Sequence, residues 1–312
     1  MKKNLLIAVI VLIAVAFVSC QKDGVYKPKK KIARISRSWE IDNSLTGKSS
    51  AESYTCEEWK WNDKTVESRT RFERKVNLIS NEVYFEPTKT TYSYDDKNRI
   101  IGAQYDDKKI EYAYNDDKKF SKITVYDGAN LESTVELNYE DKVLSSLKII
   151  QYGNTLKSAK ALSFVLSSQI VDAICQNEEM SDVELMQAKD AKITNTDVTL
   201  EWDGKNISRI VTKSENYTKT VTYEYDGKLN PYAGLYCGET VSAEMYSKNN
   251  VIKSTSNYVR DGYTSDITEN VEYEYDGKVP TSIKTTSVTN SNIYGVKYTE
   301  TKVTTDVYEY TK

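Results

Sequence analysis

The sequence contains no histidine. That absence removes His-dependent nucleophile triads, His metal sites and imidazole proton shuttles together. Phenylalanine is scarce, with 5 residues against 25 tyrosines. The aromatic surface of this chain therefore carries hydroxyls that need partners or water when buried. Charge has no dominant sign: 43 basic and 46 acidic residues give −3, which leaves no basic field to attract nucleic acid. There is no glycine-rich phosphate loop. The acidic pairs Asp95-Asp96 and Asp116-Asp117 lack the alternating order of a calcium loop and read as solvated turns. Acids are too many and too evenly spread to single out a pair for glycoside hydrolysis. No catalytic residue, cofactor or metal is expected, and the chain reads as a non-enzyme.

Long apolar runs are also missing, except one. Lys2 and Lys3 precede an unbroken apolar stretch from Leu5 to Val18, the length of a signal-peptide core and short for a membrane span. Phe17-Val18-Ser19-Cys20 resembles the lipobox of bacterial lipoproteins. The resemblance implies a signal peptide over 1–19, acylation of Cys20 and a lipidated tether over 20–33. An ordinary secretory peptide is the plainer alternative. Gln21 follows the cysteine where an inner-membrane retention signal would place Asp, and Lys22-Asp23 is similar to a surface-export signal of Bacteroidota lipoproteins. The expected address is the outer membrane, on its periplasmic or cell-surface side. Removing Cys20 leaves Cys56, Cys175 and Cys237, an odd number, read as buried or free thiols.

What is abundant is a two-residue beat of rings that ends in an acidic turn. It recurs as Trp59-Lys60-Trp61, Tyr92-Ser93-Tyr94, Tyr112-Ala113-Tyr114, Leu200-Glu201-Trp202, Tyr223-Glu224-Tyr225, Tyr273-Glu274-Tyr275 and Tyr308-Glu309-Tyr310. Alternation with period two makes a strand with one apolar and one polar face. Asp-Gly between such runs is the strongest short hairpin signal. Tight hairpins are thus expected at Asp226-Gly227 and Asp276-Gly277, in the near-identical octets 221–228 and 271–278. A longer loop around a type I turn is expected at 95–98, which lacks Gly.

The fold class expected is all-β: repeated antiparallel hairpins forming one long curved meander sheet or open barrel over 34–312. An irregular insertion near 156–194 breaks the rhythm. Ser181 to Glu184 has the spacing of a capping box for a short helix there, with a polar loop as the alternative.

The units resemble the tyrosine–aspartate (YD, Rhs-type) repeats of bacterial surface proteins, most closely from Tyr92 through Tyr94, Asp95, Asn98 and Arg99 to Ile100. Residues 23–32, 225–235 and 247–250 are similar to a set of uncharacterised Bacteroidota lipoproteins with a porin-like or YD-like β-sheet. That resemblance implies a fold and an address and supplies no catalytic residues.

Two function classes follow. One is an outer-membrane-anchored lipoprotein with a non-enzymatic binding or structural role toward a glycan or protein. The other is a membrane-embedded or membrane-docked barrel that handles a solute. Glu111, Glu136, Glu201, Glu224, Glu272 and Glu274 occupy the polar face, and the return strands are short of apolar residues, which favours water over lipid. Trp59, Trp61 and Trp202 are candidates for an aromatic sugar platform, against the reading that they fill the tyrosine slots of the repeat.

Overall fold

A computed structural model describes residues 30–77, 80, 82–152, 162, 165–167, 170–171, 193–215, 217–230, 232–233, 241–260, 262–277 and 279–311. Cys20, the signal segment, Cys175, Cys237 and the 181–184 capping box lie outside them.

Sixteen antiparallel strands form one sheet that closes on itself. In chain order they are β1 (Ile32–Asn43), β2 (Gly47–Trp61), β3 (Val66–Val76), β4 (Val83–Tyr94), β5 (Ile100–Tyr105), β6 (Lys108–Tyr114), β7 (Phe120–Asp127) and β8 (Asn130–Glu140). There follow β9 (Val143–Tyr152), β10 (Ile193–Asp203), β11 (Asn206–Lys213), β12 (Thr218–Leu229), β13 (Asn249–Arg260), β14 (Tyr263–Asp276), β15 (Val279–Ile293) and β16 (Val296–Tyr310). A single turn of helix, α1 (Ala243–Tyr246), is capped by the Ser242 hydroxyl, which accepts from the Met245 amide at 3.1 Å. Every strand pairs with its sequence neighbours, and β1 pairs with β16 from Ile32–Tyr310 to Asn43–Glu300, which seals the barrel. The expected meander is therefore present, and its two outer edges are joined. The first strand begins at Ile32.

The turns follow local chemistry in most places. Asp141 and Lys142, at φ 48° and 68°, fill the two left-handed positions between Glu140 and Val143. Asn98, at φ 59°, takes the place glycine would hold in the 95–99 loop, where the Asp95 carbonyl accepts from the Asn98 amide at 3.0 Å. Asp276-Gly277 is a hairpin as expected, Asp276 pairing with Val279 and Gly277 standing at φ 62°.

Asp226-Gly227 corrects the expectation of a second one. These residues lie inside β12, which runs on to Leu229, and the register slips between Tyr225–Val251 and Leu229–Asn249. Gly227 is not left-handed. A bulge takes the place of the turn, and the chain continues through 230–248 before β13 begins.

Through the middle of β6 to β11, alternation puts apolar residues in the lumen and charge outside. Tyr112, Ile123, Val135, Ile149 and Thr196 form one cross-strand row facing inward, all buried. The outward row beside it reads Lys122, Glu136, Lys148, Asp197, Lys213 across β7 to β11, alternating in sign at each step. Opposite charges directly across a ladder each contribute on the order of 0.2–1 kcal/mol.

The lumen is filled on the β5–β13 side. Leu162, Val165, Leu166, Ile170 and Val171, from the insertion, and Val241 and Ala243 join the wall residues in one core. Leu166 and Val241 form a parallel bridge, so the two crossing segments brace each other. Each fully buried aliphatic side chain contributes roughly 1.5–3 kcal/mol by removal from water.

Candidate functional site

The rings of the repeat have a structural task that explains their spacing. Near the end of seven of the eight even strands one ring donates to a carbonyl at the start of the preceding odd strand. Tyr94 reaches the Val66 carbonyl at 2.9 Å, Tyr114 that of Ile100 at 2.6 Å, and Tyr225 that of Ile207 at 2.6 Å. Tyr273 reaches the Val251 carbonyl at 2.8 Å and Tyr310 that of Pro280 at 2.7 Å. Two tryptophans do the same through the indole N–H: Trp61 to Ile32 at 2.6 Å and Trp202 to Leu144 at 2.7 Å. Each ring staples the open end of its hairpin. The ring body is buried while its polar tip satisfies a backbone acceptor.

The three candidate tryptophans therefore separate. Trp59 and Trp61 stack at 6.3 Å on β2. Trp202 sits on β10, on the far side of the ring of strands. The first two are together; the third is not with them.

Trp59 does line a cavity, of about 750 Å³, on the inner wall of β1, β2, β3 and β16, bordered from within by Tyr232, Ser242, Glu244 and Met245. Its centre is built from paired charges. Arg37 forks onto Asp306 of β16 with bonds of 2.7 and 2.8 Å, and the carboxylate holds the guanidinium protonated. Arg69 bonds Glu57, whose carboxylate also accepts the Trp59 indole N–H at 3.1 Å, and Arg71 stands 3.8 Å away. The Arg69 guanidinium lies 4.7 Å from the Trp59 ring centre. Burial alone would raise the Glu57 pKa, but the charges of Arg69, Arg71 and Arg37 outweigh it and hold it below the ordinary carboxylate value. A carboxylate so held is a weak base and has no proton to give. What the cavity offers is planar hydrogen-bonding groups beside aromatic faces.

The β3–β4 hairpin borders this cavity. β2 and β3 pair only from Glu57–Arg71 to Trp61–Val66, so the distal part of the hairpin is unzipped from β2. It leans on the neighbouring wall instead: Phe85 meets Tyr54 at 5.0 Å, and the Arg74 guanidinium lies 5.6 Å from the Trp39 ring centre.

Sequence reasoning passed over Arg37, Arg69, Arg71 and Asp306. One signal was present: Arg69 and Arg71 stand at i and i+2, on one face of a strand. Their partners Glu57 and Asp306 come from other strands, which no local pattern pairs. Cys56 is buried in this wall and free; its thiol bonds the Ile35 carbonyl at 3.4 Å, and burial pushes its pKa up to about 12.

No protein family and no curated protein matches the chain. Among the solved structures that match, two illustrate how slight the similarity is. The TcdB2–TccC3 crystal structure aligns at TM-score 0.17 and 9% identity, over 80% of this chain and 19% of that one. OccAB4 of Acinetobacter baumannii aligns at TM-score 0.23 and 6% identity, over 91% of this chain and 99% of that one. The chain thus spans under a fifth of the first structure's length. At these scores neither likeness carries an argument.

Proposed function

We propose that this protein is an outer-membrane-anchored lipoprotein whose barrel stands in water and has a non-enzymatic binding role, with a glycan as the ligand and the β1–β3 cavity as its site. The observation that carries the reading is the outward row Lys122, Glu136, Lys148, Asp197, Lys213. A lipid-facing wall carries an apolar band at that level, and a single Lys or Arg near the bilayer midplane costs about 2–4 kcal/mol. Further outward pairs, Arg209–Glu201 at 2.7 Å and Lys253–Glu224 at 2.8 Å, repeat the pattern. The apolar core that the insertion residues Leu162, Val165, Leu166, Ile170 and Val171 complete inside the barrel fits a body that stands in water. These features oppose a membrane-embedded barrel.

The glycan follows from the cavity lining. Trp39 and Tyr54, half-buried in the lining, offer ring surface for sugar C–H groups, and the Arg–carboxylate pairs offer fixed donors and acceptors for hydroxyls. The acyl anchor follows from Cys20 and its flanks.

A glycan array probed with the chain from Lys22 onward tests the binding role. Hits that vanish in Trp39→Ala and in Arg69→Ala support it; no hits among host or dietary glycans remove the glycan. Mass spectrometry of the mature N-terminus tests the anchor, and an unacylated Cys20 defeats it. Protease shaving of intact cells tests exposure: a barrel on a tether is released, an embedded one keeps its strands.

A further inference from the structure

The barrel's two rims differ. At one, the chain enters β1 beside the end of β16, and the ring staples close their hairpins. At the other lie the tips of the hairpins β13–β14, β15–β16, β1–β2 and β3–β4, which are consecutive around the ring. Nine of the thirteen exposed large apolar side chains among the described residues lie at these four tips. The most prominent are Tyr294, 82% exposed, Leu45, 65%, and Val296, 60%; Val259, Tyr84 and Phe85 add to them.

Strand length makes the β13–β14, β15–β16 and β1–β2 tips project. β14, β15, β16 and β2 have 14, 15, 15 and 15 residues, against 6, 7 and 8 for β5, β6 and β7. At about 3.3 Å per residue the difference is large enough to lift one side of the rim beyond the other. The tips are also laced together. The Tyr294 amide donates to the Gly262 carbonyl at 2.8 Å, and the Ser44 amide to the Thr299 carbonyl at 2.9 Å. Tyr294 stands at a left-handed backbone position, φ 46°, that bulky side chains rarely adopt, and lays one side of its ring on Gly262 while the rest stays exposed.

We propose that this crescent of tips is a docking surface for a lipid bilayer. The geometry selects the occupant. The apolar side chains stand on four separate turns along the rim, so a protein partner would need a socket for each. A lipid interface yields to all of them at once, and tyrosine suits that boundary, with an apolar ring and a polar tip. The charged outer wall limits the contact to the tips. The inference rests on the exposure of the crescent and is independent of the acyl anchor.

The test is vesicle flotation with a chain beginning at Gln21, which keeps every residue of the closed barrel and carries no acyl group. The vesicles are phosphatidylcholine, with and without phosphatidylglycerol. The parent chain is expected to float with both. The triple variant Leu45→Ser, Tyr294→Ser, Val296→Ser is expected to lose binding by about tenfold or more for each side chain fully removed from the lipid. Val307→Ser, exposed on the outer wall, is expected to bind as the parent does. A Tyr294→Trp variant supplies a second readout, quenching by brominated lipid. No flotation of the parent, equal flotation of the triple variant, or absence of quenching overturns the proposal. So does concentration-dependent dimerisation in sedimentation velocity that the same triple variant abolishes, which would assign the crescent to a second copy.

Discussion

The hydroxyl of Tyr275 donates to the carboxylate of Asp226 at 3.0 Å, so the two near-identical octets of the sequence touch one another. Asn250 joins the same carboxylate at 3.2 Å, and the Lys228 ammonium lies 3.6 Å from the Tyr275 ring centre. The first octet therefore spends its acidic residue on a neighbour, where the second uses it to turn. Identical letters acquire different tasks once the chain is closed around them.

Two glycine substitutions separate these tasks. Gly277 stands at φ 62° in a true hairpin, while Gly227 lies in a strand bulge with open space where a Cβ would go. Gly277→Ala is expected to destabilise the barrel by about 1 kcal/mol, and Gly227→Ala to be near neutral. Urea denaturation of both variants, followed by far-UV circular dichroism, gives the comparison; equal losses would contradict the assignment of turn and bulge.

The ring staples predict a selective cost for losing one hydroxyl. Tyr310→Phe leaves the Pro280 carbonyl without this donor, and Tyr225→Phe does so for Ile207. Each is expected to cost about 1–3 kcal/mol, the penalty for an unmet buried polar group. Tyr84→Phe, half exposed at the β3–β4 tip, serves as the control and should cost under about 0.5 kcal/mol.

Acid should loosen the cavity wall through Glu57. Its folded pKa is depressed by Arg69, Arg71 and Arg37 against the opposing effect of burial. The carboxylate therefore contributes stability above its unfolded pKa, near 4.3, and that contribution is lost as pH falls through the lower folded value. Thermal melts between pH 7 and pH 3 should show a steeper fall for the parent chain than for Glu57→Gln. An unchanged slope would mean the arginines do not hold Glu57 in this way.

Cys56 should be silent toward alkylating agents while the barrel is folded. It is buried, bonded to the Ile35 carbonyl, and pushed by burial to a pKa of about 12, so almost no thiolate exists at pH 8. Iodoacetamide is expected to label it only after denaturation, read by mass spectrometry of the peptide that contains it. Rapid native labelling would show that this stretch of wall opens.

The parts of this molecule legible in its sequence are those that depend on nearest neighbours. Tyr92-Ser93-Tyr94 announces a strand and its inward face, and Asn98 a turn, because pleat and turn sterics act over a few residues. The Asp226-Gly227 bulge was misread because its cause lies at Asn250 and Tyr275, far along the chain. Closure was beyond reach for the same reason: nothing local in Ile32–Asn43 marks Val296–Tyr310 as its partner. The cavity was half visible. Arg69 and Arg71 share a face by spacing, yet Asp306, which turns Arg37 from an exposed cation into a fixed fork, belongs to the last strand.

That last pairing has a consequence for how the molecule is made. A chain growing from its N-terminus carries β1 as a bare ribbon edge throughout elongation, ready to join any other unpaired strand nearby. Only the arrival of β16 removes that hazard, so assembly cannot be completed in stages as it can in a stack of independent repeats. Loss of β16 would leave β1 and β15 as two open borders and invite polymerisation rather than a slightly smaller cylinder.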